Sequence, residues 1–159
     1  MSALVSPLSF VAALGAGLNA GLFFIFSVCI MGALGRLPPA QGMAAMQSIN
    51  RVIQNPVFFL VFGGTSLLAL VLAIGGFLAG GPARLYLISG GLLFFFGMFV
   101  VTVVFNVPMN EALDAAVPGS DIAAGLWADY LVTWVNWNHV RTVSSVAALG
   151  LFIMAFKTA

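Results

Sequence analysis

The sequence predicts an all-α integral membrane protein, an antiparallel bundle of four transmembrane helices with a short interfacial helix. Of its 159 residues, 62% are hydrophobic and 6% are charged, whereas about 25% of the residues in a typical soluble domain are charged. So few charges cannot coat a water-exposed surface, which indicates that the bilayer is the solvent. Four apolar runs are also long enough to cross a bilayer, which takes about 20 helical residues.

The four predicted spans cover about residues 8–34, 57–79, 85–107 and 130–156. None alternates apolar and polar residues as a membrane β-strand does, so helices are predicted. The first seven residues carry no Lys or Arg, and the first run is too long for the hydrophobic part of a signal peptide. We therefore expect this run to be a retained span and residues 1–159 to form one transmembrane domain.

Small residues recur at four-residue spacing in the first span, at Ala13, Gly17 and Gly21. Such a face lets another helix approach closely, and a homo-oligomer through Gly17 and Gly21 is one expectation. The alternative is that glycine is simply common in membrane helices. Asn19 lies on another face, where we expect it to bond a neighbouring helix or backbone.

The connection between the first two spans predicts the short interfacial helix. Pro39 suits a helix start, and Met43, Met46 and Asn50 fall on one helical face, with Gln47 beside or opposite it. The next span should begin with a side-chain cap, because Asn55 precedes Pro56.

The second and third spans are joined by the tight turn 80–84, which predicts a hairpin. The third span ends with Thr102, Asn106 and Asn110, which form one polar stripe if the helix continues. Pro108 would kink that helix. The next connection, from 111 to about 129, holds every acidic residue, and Asp121 can cap a short helix there.

Four spans bring both long connections, those after the first and third spans, to the same end of the bundle, which we call the long-loop end. Asn50, Asn106, Asn110 and the motif 134–142 therefore converge there. Lys and Arg divide evenly between the two ends, so the positive-inside rule gives no orientation. The acidic connection favours cytoplasmic termini, and we expect the bacterial inner (plasma) membrane.

The motif 134–142 places Arg141 inside the fourth apolar run, where a charge is costly and marks a functional site or an ion pair. On a helix, Trp134, Trp137, Asn138 and Arg141 form one stripe, and His139 points about 160° away from Arg141. Arg141 would either bind an anion in an aromatic pocket or tie two spans together. The expected acceptors for such a tie are Asn106, Asn110, Glu111 and Asp114.

Aromatic residues also cluster where the chain re-enters the membrane, and Trp127 and Tyr130 are either an interfacial belt or part of the site. There is no basic cluster, so no nucleic-acid partner is expected. The single cysteine, Cys29, is interpreted as a packing residue. One His and one Cys supply no recognisable ligand set, so no metal or other cofactor is expected. A haem with His139 as its axial ligand is the alternative.

Four sequence blocks, in this order and spacing, resemble the anthrone oxygenase-like family of small four-span membrane proteins. The blocks are 21–27, 45–56, Asn106-Val-Pro-Met-Asn110 and Trp134-x-x-Trp137-Asn138-His-Val-Arg141-Thr142. The activity named in this family is oxidation of polyketide anthrones to anthraquinones without an evident metal or flavin site. The resemblance implies that the asparagines of the third block and the Trp-Asn-x-x-Arg residues belong to the site.

The resemblance implies a simple chemistry, in which an anthrone loses a proton from carbon and the resulting anion reacts with oxygen. Arg141, with Asn138, Asn106 or Asn110, would stabilise the oxyanion. Trp134 and Trp137 would stack on the substrate, and Asn50 converges on the same pocket. His139 is the ordinary base in the motif, although it faces away from Arg141.

Two functions remain open. One is a cofactor-independent oxygenase acting on an anthrone- or quinol-like molecule at the long-loop end. The other is a non-enzymatic membrane protein that binds or carries a lipophilic small molecule, or packs against a partner. A cavity beside Arg141 favours the first, and an Arg141 tied to Glu111 or Asp114 without a cavity favours the second.

Overall fold

A computed structural model describes residues 2–159, without the side chains of residues 2, 3, 79 and 121. The described chain is helical and contains no strand. Four helices are long and apolar enough to cross a membrane; we call them spans 1 to 4, and they cover Leu4–Leu34, Pro56–Leu78, Arg84–Ala115 and Ile122–Thr158. The predicted all-α membrane protein with four spans is confirmed.

The helices at the third connection are longer than predicted. Span 3 continues past residue 107 to Ala115, and the last helix is continuous from Asp121 to Thr158. Hydropathy marks where a helix leaves the hydrocarbon and not where it ends, which explains the short prediction. The predicted cap role of Asp121 lies outside the described side chains. Ser120 is the N-cap, since its Oγ accepts from the backbone N–H of Ala123 at 3.3 Å.

Spans 1 and 3 contain wide, π-helical turns. These cover Phe26–Ile30 in span 1, and Phe95–Val100 and Thr102–Asn106 in span 3. Such turns are rare and are frequent at functional sites. Pro108 lies in the first turn of the α-helical segment that follows the last wide turn. The backbone hydrogen-bond pattern changes from the wide turn to the α-helix at this point, which suits proline because it has no N–H to donate.

The short helix runs from Pro39 to Val52 and lies against the end of span 3. Gln47 is buried, contrary to its predicted position, because its Nε2 donates to the carbonyls of Leu113 at 2.7 Å and Ala116 at 3.0 Å. Leu113 lies in the last turn of span 3 and Ala116 is its C-cap, so both carbonyls lie at a helix end, where the α-helical hydrogen bonds stop. Arg51 and Asp114 add an ion pair at 2.7 Å between the same elements.

Two turns agree with their predictions. The side chain of Asn55 accepts from the backbone N–H of Phe58 at 3.0 Å and caps span 2. Gly80 and Gly81 have φ of 69° and 89°, a conformation that favours glycine and closes the hairpin between spans 2 and 3. Asn19 is also bonded to backbone, through its amide to the carbonyl of Gly15 at 2.9 Å.

The spans pack in a fixed order: span 1 against spans 2 and 4, and span 3 against spans 2 and 4. Spans 2 and 3 pack along residues 84–100. The predicted small-residue face of span 1 is divided, since Gly17 lies against Leu149 of span 4 whereas Gly21 is exposed. This packing leaves space between the spans at the end that carries the long connections.

Candidate functional site

A cavity of about 720 Å³ lies at the long-loop end, between all four spans and the short helix. This loop-end cavity falls within the roughly 300–1,000 Å³ typical of small-molecule sites. Aromatic rings form much of its wall, among them Phe23, Phe58, Phe62 and Trp134. The polar side chains Arg141, Thr102, Asn110 and Asn50 also line it. It is therefore an apolar chamber with a few polar groups.

The guanidinium of Arg141 is the central polar group, and Arg141 is only 4% exposed. One of its terminal nitrogens donates to Asn138 Oδ1 at 2.7 Å, and the other donates to Thr102 Oγ1 at 3.4 Å. Its carbon lies 4.3 Å above the ring centre of Phe23 and 5.0 Å above that of Trp134. These rings stabilise the buried cation by cation–π attraction.

Arg141 has no ion-pair partner within 4.0 Å among the described side chains. Its side-chain hydrogen bonds go to Asn138 and Thr102 among the described residues, and not to the expected acceptors Glu111, Asp114, Asn106 and Asn110. The wide turns of span 3 explain the difference, because an extra residue in a turn rotates all the residues that follow it. Thr102 faces Arg141 instead, and its hydroxyl donates to the carbonyl of Met98 at 2.7 Å.

Asn138 lies behind Arg141 and fixes its position. It is fully buried, and its amide nitrogen donates to the carbonyl of Phe23 at 2.8 Å and to Ser27 Oγ at 2.7 Å. Its oxygen is then oriented toward Arg141. Asn138 is not part of the cavity wall, so its role in this geometry is to hold the guanidinium and not to contact a ligand.

Asn110 joins spans 3 and 4 through two aromatic side chains. Its Oδ1 accepts from Tyr130 Oη and from Trp134 Nε1, both at 2.7 Å. The rings of Tyr130 and Trp134 stack at 5.5 Å, and Trp127 stacks on Tyr130 at 5.8 Å. Trp127 and Tyr130 are 3% and 2% exposed, so they pack inside the protein and do not form an interfacial belt.

Two buried N–H donors in residues of the cavity wall have no partner among the described residues. They are Asn50 Nδ2 and Arg141 Nε. Buried donors are nearly always paired, so these two nitrogens are exceptions among the described residues. Asn106 is fully buried; its Nδ2 donates to the carbonyl of Trp134 at 3.2 Å, and its Oδ1 has no partner in the described part of the chain.

The family model for anthrone oxygenase matches residues 54–151. The chain belongs to the anthrone oxygenase family. No curated protein and no solved structure matches the chain. The matched range includes Arg141, Asn138, Asn110 and Asn106 and confirms the resemblance seen in the sequence blocks. Span 1 and the short helix, which supply Phe23 and Asn50, lie outside it.

Two side chains of the predicted anthrone oxygenase site lie away from the cavity. His139 is exposed, and its Nδ1 lies 3.0 Å from Ser27 Oγ on the side of span 1. Trp137 is half-buried and stacks on Phe105, with ring centres 3.7 Å apart. The predicted stripe covers a larger part of the helix surface than the part that faces the cavity, so Trp137 meets the outer side of span 3 instead. His139 points away from Arg141, as the helical geometry predicted.

The predicted site residues of this family member thus fall into three groups. Arg141, Trp134, Asn110 and Asn50 line the cavity, Asn138 and Asn106 form a layer behind it, and His139 and Trp137 lie outside. Sequence reasoning missed Thr102 and Phe23 as partners of Arg141. Thr102 carried a signal as part of the polar stripe, whereas nothing distinguished Phe23 from the other phenylalanines.

Within the described part of the chain, no group of three or more His, Cys, Asp or Glu side chains is close enough to hold a metal ion. Cys29, which the sequence suggested as a packing residue, is exposed on span 1. The wall of the loop-end cavity offers a buried cation, amides, aromatic rings and the carboxylates of Glu111 and Asp114.

Proposed function

We propose that this protein is an oxygenase-like membrane enzyme that acts on a hydrophobic anthrone- or quinol-like molecule in the loop-end cavity. The observation that carries the proposal is the guanidinium of Arg141, buried in an aromatic wall without a carboxylate partner among the described residues. A buried cation without a counter-ion is costly. An anionic form of a bound aromatic molecule supplies the missing negative charge.

The reaction uses this charge at the step where an anion forms. An anthrone loses a proton from its methylene carbon, and the resulting negative charge is delocalised onto the carbonyl oxygen. Arg141 stabilises that oxyanion, and the amide of Asn50 offers a second donor. Donors fixed before the reaction in a site that excludes water stabilise such charge far better than donors in water do.

Molecular oxygen is the oxidant in the proposed reaction. The carbanion adds oxygen and forms a hydroperoxide at the former methylene carbon. Loss of the second proton from that carbon breaks the O–O bond, expels hydroxide and leaves a carbonyl. One anthrone and one oxygen molecule thus give one quinone and one water, and the protein contributes no electrons.

The shape of the cavity supports a planar, lipid-soluble substrate. Phe58 and Phe62 stack on each other at 5.3 Å in its wall. Phe59 and Val103, which also line it, are 53% and 48% exposed on spans 2 and 3. We propose that the substrate enters from the bilayer between these two spans, at the level where they no longer pack together.

The proposal extends to the setting of the bundle. The short connections between spans 2 and 3 and between spans 3 and 4 support an antiparallel bundle that forms one transmembrane domain over residues 1–159. The short helix Pro39–Val52 would lie at the membrane interface. A helical bundle fits the bacterial inner (plasma) membrane, where helices and not closed barrels are the usual spans. A homo-oligomer through the small-residue face would use the exposed Gly21.

The alternative is a protein that binds or carries a lipophilic molecule without converting it. One observation favours it, because His139, the expected base, lies outside the cavity. A binder needs the aromatic wall and the donors but no base. Binding of an anthrone without oxygen uptake would identify this alternative.

Oxygen uptake by the purified protein tests the proposal. We expect added anthrone to be oxidised to anthraquinone with one oxygen consumed per molecule, above the spontaneous rate measured without protein. Arg141→Ala should lower the rate about 100-fold or more, as loss of an oxyanion donor does. Arg84→Ala is the matched control, since Arg84 is exposed at the other end. Equal rates for wild type and Arg141→Ala, or no uptake with any anthrone or quinol, would overturn it.

A further inference from the structure

The loop-end cavity contains few side chains that can accept a proton near neutral pH. His139 lies outside it, and the cysteine, Cys29, is on the outer surface of span 1. Among the described residues, the carboxylates in the cavity wall are Glu111 and Asp114, both near the end of span 3. If a carbon acid loses its proton in this cavity, the choice of base narrows to these two residues.

Asp114 is already engaged. Its Oδ1 accepts from Arg51 Nε at 2.9 Å and from a terminal nitrogen of Arg51 at 2.7 Å. A carboxylate held by two charged donors is fixed in place and is not free to turn toward a substrate. Glu111, in contrast, makes no hydrogen bond or ion pair with a described residue. Its carboxylate can therefore turn toward a ligand.

Glu111 and Arg141 lie far enough apart to contact opposite ends of one substrate molecule. Arg141 bonds Thr102. Glu111 lies nine residues further along the same helix, a rise of about 13 Å. A glutamate side chain reaching back along the cavity covers part of that distance. In an anthrone, the carbonyl oxygen and the acidic carbon lie on opposite sides of the central ring. An oxyanion donor at one end and a base at the other match this arrangement.

We propose that Glu111 is the general base of this site and removes the proton from the substrate carbon opposite the carbonyl. This inference rests on the proposed function. The Glu111 carboxylate takes the first proton while Arg141 binds the oxyanion. The neutral acid then protonates the hydroperoxide anion formed with oxygen. The regenerated carboxylate removes the second proton as the O–O bond breaks, and its proton combines with the expelled hydroxide to give water.

The test compares carboxylates at one end of the protein in oxygen uptake with anthrone. General bases contribute about 10²- to 10⁴-fold, so Glu111→Gln should lower kcat at least 100-fold. Binding of anthrone to this variant, followed by quenching of tryptophan fluorescence, should stay within about threefold. Formate added to Glu111→Ala should restore part of kcat, because a small carboxylate can take the vacated place. The control Asp129→Asn, exposed and outside the cavity wall, should match the wild type.

The outcomes separate this inference from the proposed function. Wild-type turnover with full activity in Glu111→Gln would overturn the role of Glu111 and leave the proposed function standing. Loss of kcat in Asp114→Asn, with Glu111→Gln unaffected, would assign the base to Asp114. Loss of activity in Glu111→Gln together with lost binding and no rescue by formate would show a structural role. No turnover by the wild type would remove both proposals.

Discussion

At the Gly80–Arg84 end of the protein, the spans meet through alanine, glycine and phenylalanine, whereas at the long-loop end they meet through asparagine, tryptophan and a buried arginine. Ala16, Ala69, Phe94 and Phe152 in the first region are fully buried. A Cβ on Gly91 would overlap the backbone carbonyl of Ala69, so spans 2 and 3 touch there. At the other end the same two spans border the loop-end cavity.

The difference shows how a membrane bundle can hold an open chamber. Helices in lipid associate through close packing of small residues, since the hydrophobic effect between them is weak. The turn end uses this packing between spans 2 and 3, and the cavity at that end, of about 360 Å³, is lined by apolar side chains and glycines. The long-loop end depends on directional hydrogen bonds, such as those of Asn138 and Asn110, which fix the spans while keeping them apart. Variants at each end should therefore fail in different ways.

Among the variants that compare the two ends, the largest effect should come from Asn138→Ala. This change leaves one terminal nitrogen of Arg141 buried without its acceptor, which costs about 1.5–3 kcal/mol for a bond to a charged group. The free guanidinium should also lose its position, and kcat with anthrone should fall about 100-fold. Thermal unfolding in detergent and oxygen uptake measure the two effects.

The control for this variant is Asn136→Ala, which removes an exposed asparagine from the same helix. Its stability and rate should equal those of the wild type. An Asn138→Ala protein with unchanged kcat would mean that Thr102 and the aromatic rings suffice to hold Arg141, and that the layer behind the cavity is not needed.

Gly91→Ala should affect stability alone. The added methyl group meets the carbonyl of Ala69 and lies 2.7 Å from the Cβ of Ala73, so the two spans must move apart. Overpacking of this kind costs about 1–3 kcal/mol. The midpoint of unfolding should fall, while KM and kcat of the protein that remains folded stay within about threefold.

Gly75→Ala tests whether the contact, and not the loss of a glycine, is responsible. Gly75 lies in span 2, which packs against the span of Gly91, and a Cβ there meets nothing within 4 Å. Alanine favours a helix over glycine by about 0.8–1.0 kcal/mol, so this variant should be as stable as the wild type or more stable. A loss equal to that of Gly91→Ala would contradict the close packing of spans 2 and 3.

Much of the fold could be predicted because its signals are local. Apolar length gave the four spans, and the pair Asn55 and Pro56 gave a cap that the structure contains. Connectivity alone brought Asn50, Asn110 and Arg141 to one cavity. The helix ends near 115 and 121 were missed because a polar helix outside the hydrocarbon has no hydropathy signal.

The partners of Arg141 could not be predicted, because they depend on the phase of span 3. A regular helix puts Thr102, Asn106 and Asn110 on one face. The wide turn Thr102–Asn106 divides them, so Thr102 meets Arg141, Asn106 bonds the carbonyl of Trp134, and Asn110 meets the ring nitrogen of Trp134. No residue pattern in this stretch predicts the wide turn. The end of the bundle at which a residue lies was therefore predictable, whereas the direction in which it points around its helix was not.

Gly63→Leu tests whether the substrate occupies the space between spans 2 and 3. Gly63 lines the cavity, and a Cβ there would meet nothing within 4 Å. A leucine side chain would occupy space that the substrate needs, and KM for anthrone should rise about 10-fold with little change in stability. Kinetics at varied anthrone concentration give this value.

Gly64→Leu supplies the comparison, since Gly64 is exposed on the same helix and lies outside the cavity wall. The same side chain placed one residue later should leave KM unchanged. Equal effects of the two substitutions would indicate that the cavity between spans 2 and 3 does not hold the substrate.

His139→Ala should have the smallest effect, although histidine is the most common catalytic base. His139 is exposed and reaches the site only through Ser27 and Asn138, whose amide keeps its bonds to Ser27 and to the carbonyl of Phe23 without it. We expect kcat within about threefold of the wild type in oxygen uptake. The absorption spectrum should likewise be the same for both proteins. A loss of 100-fold would place the proton transfer on the outer face of span 4, and a haem band lost with His139 would make that face the redox site. Either result would reverse the comparison, because the chemistry would then lie outside the chamber that the long-loop end keeps open.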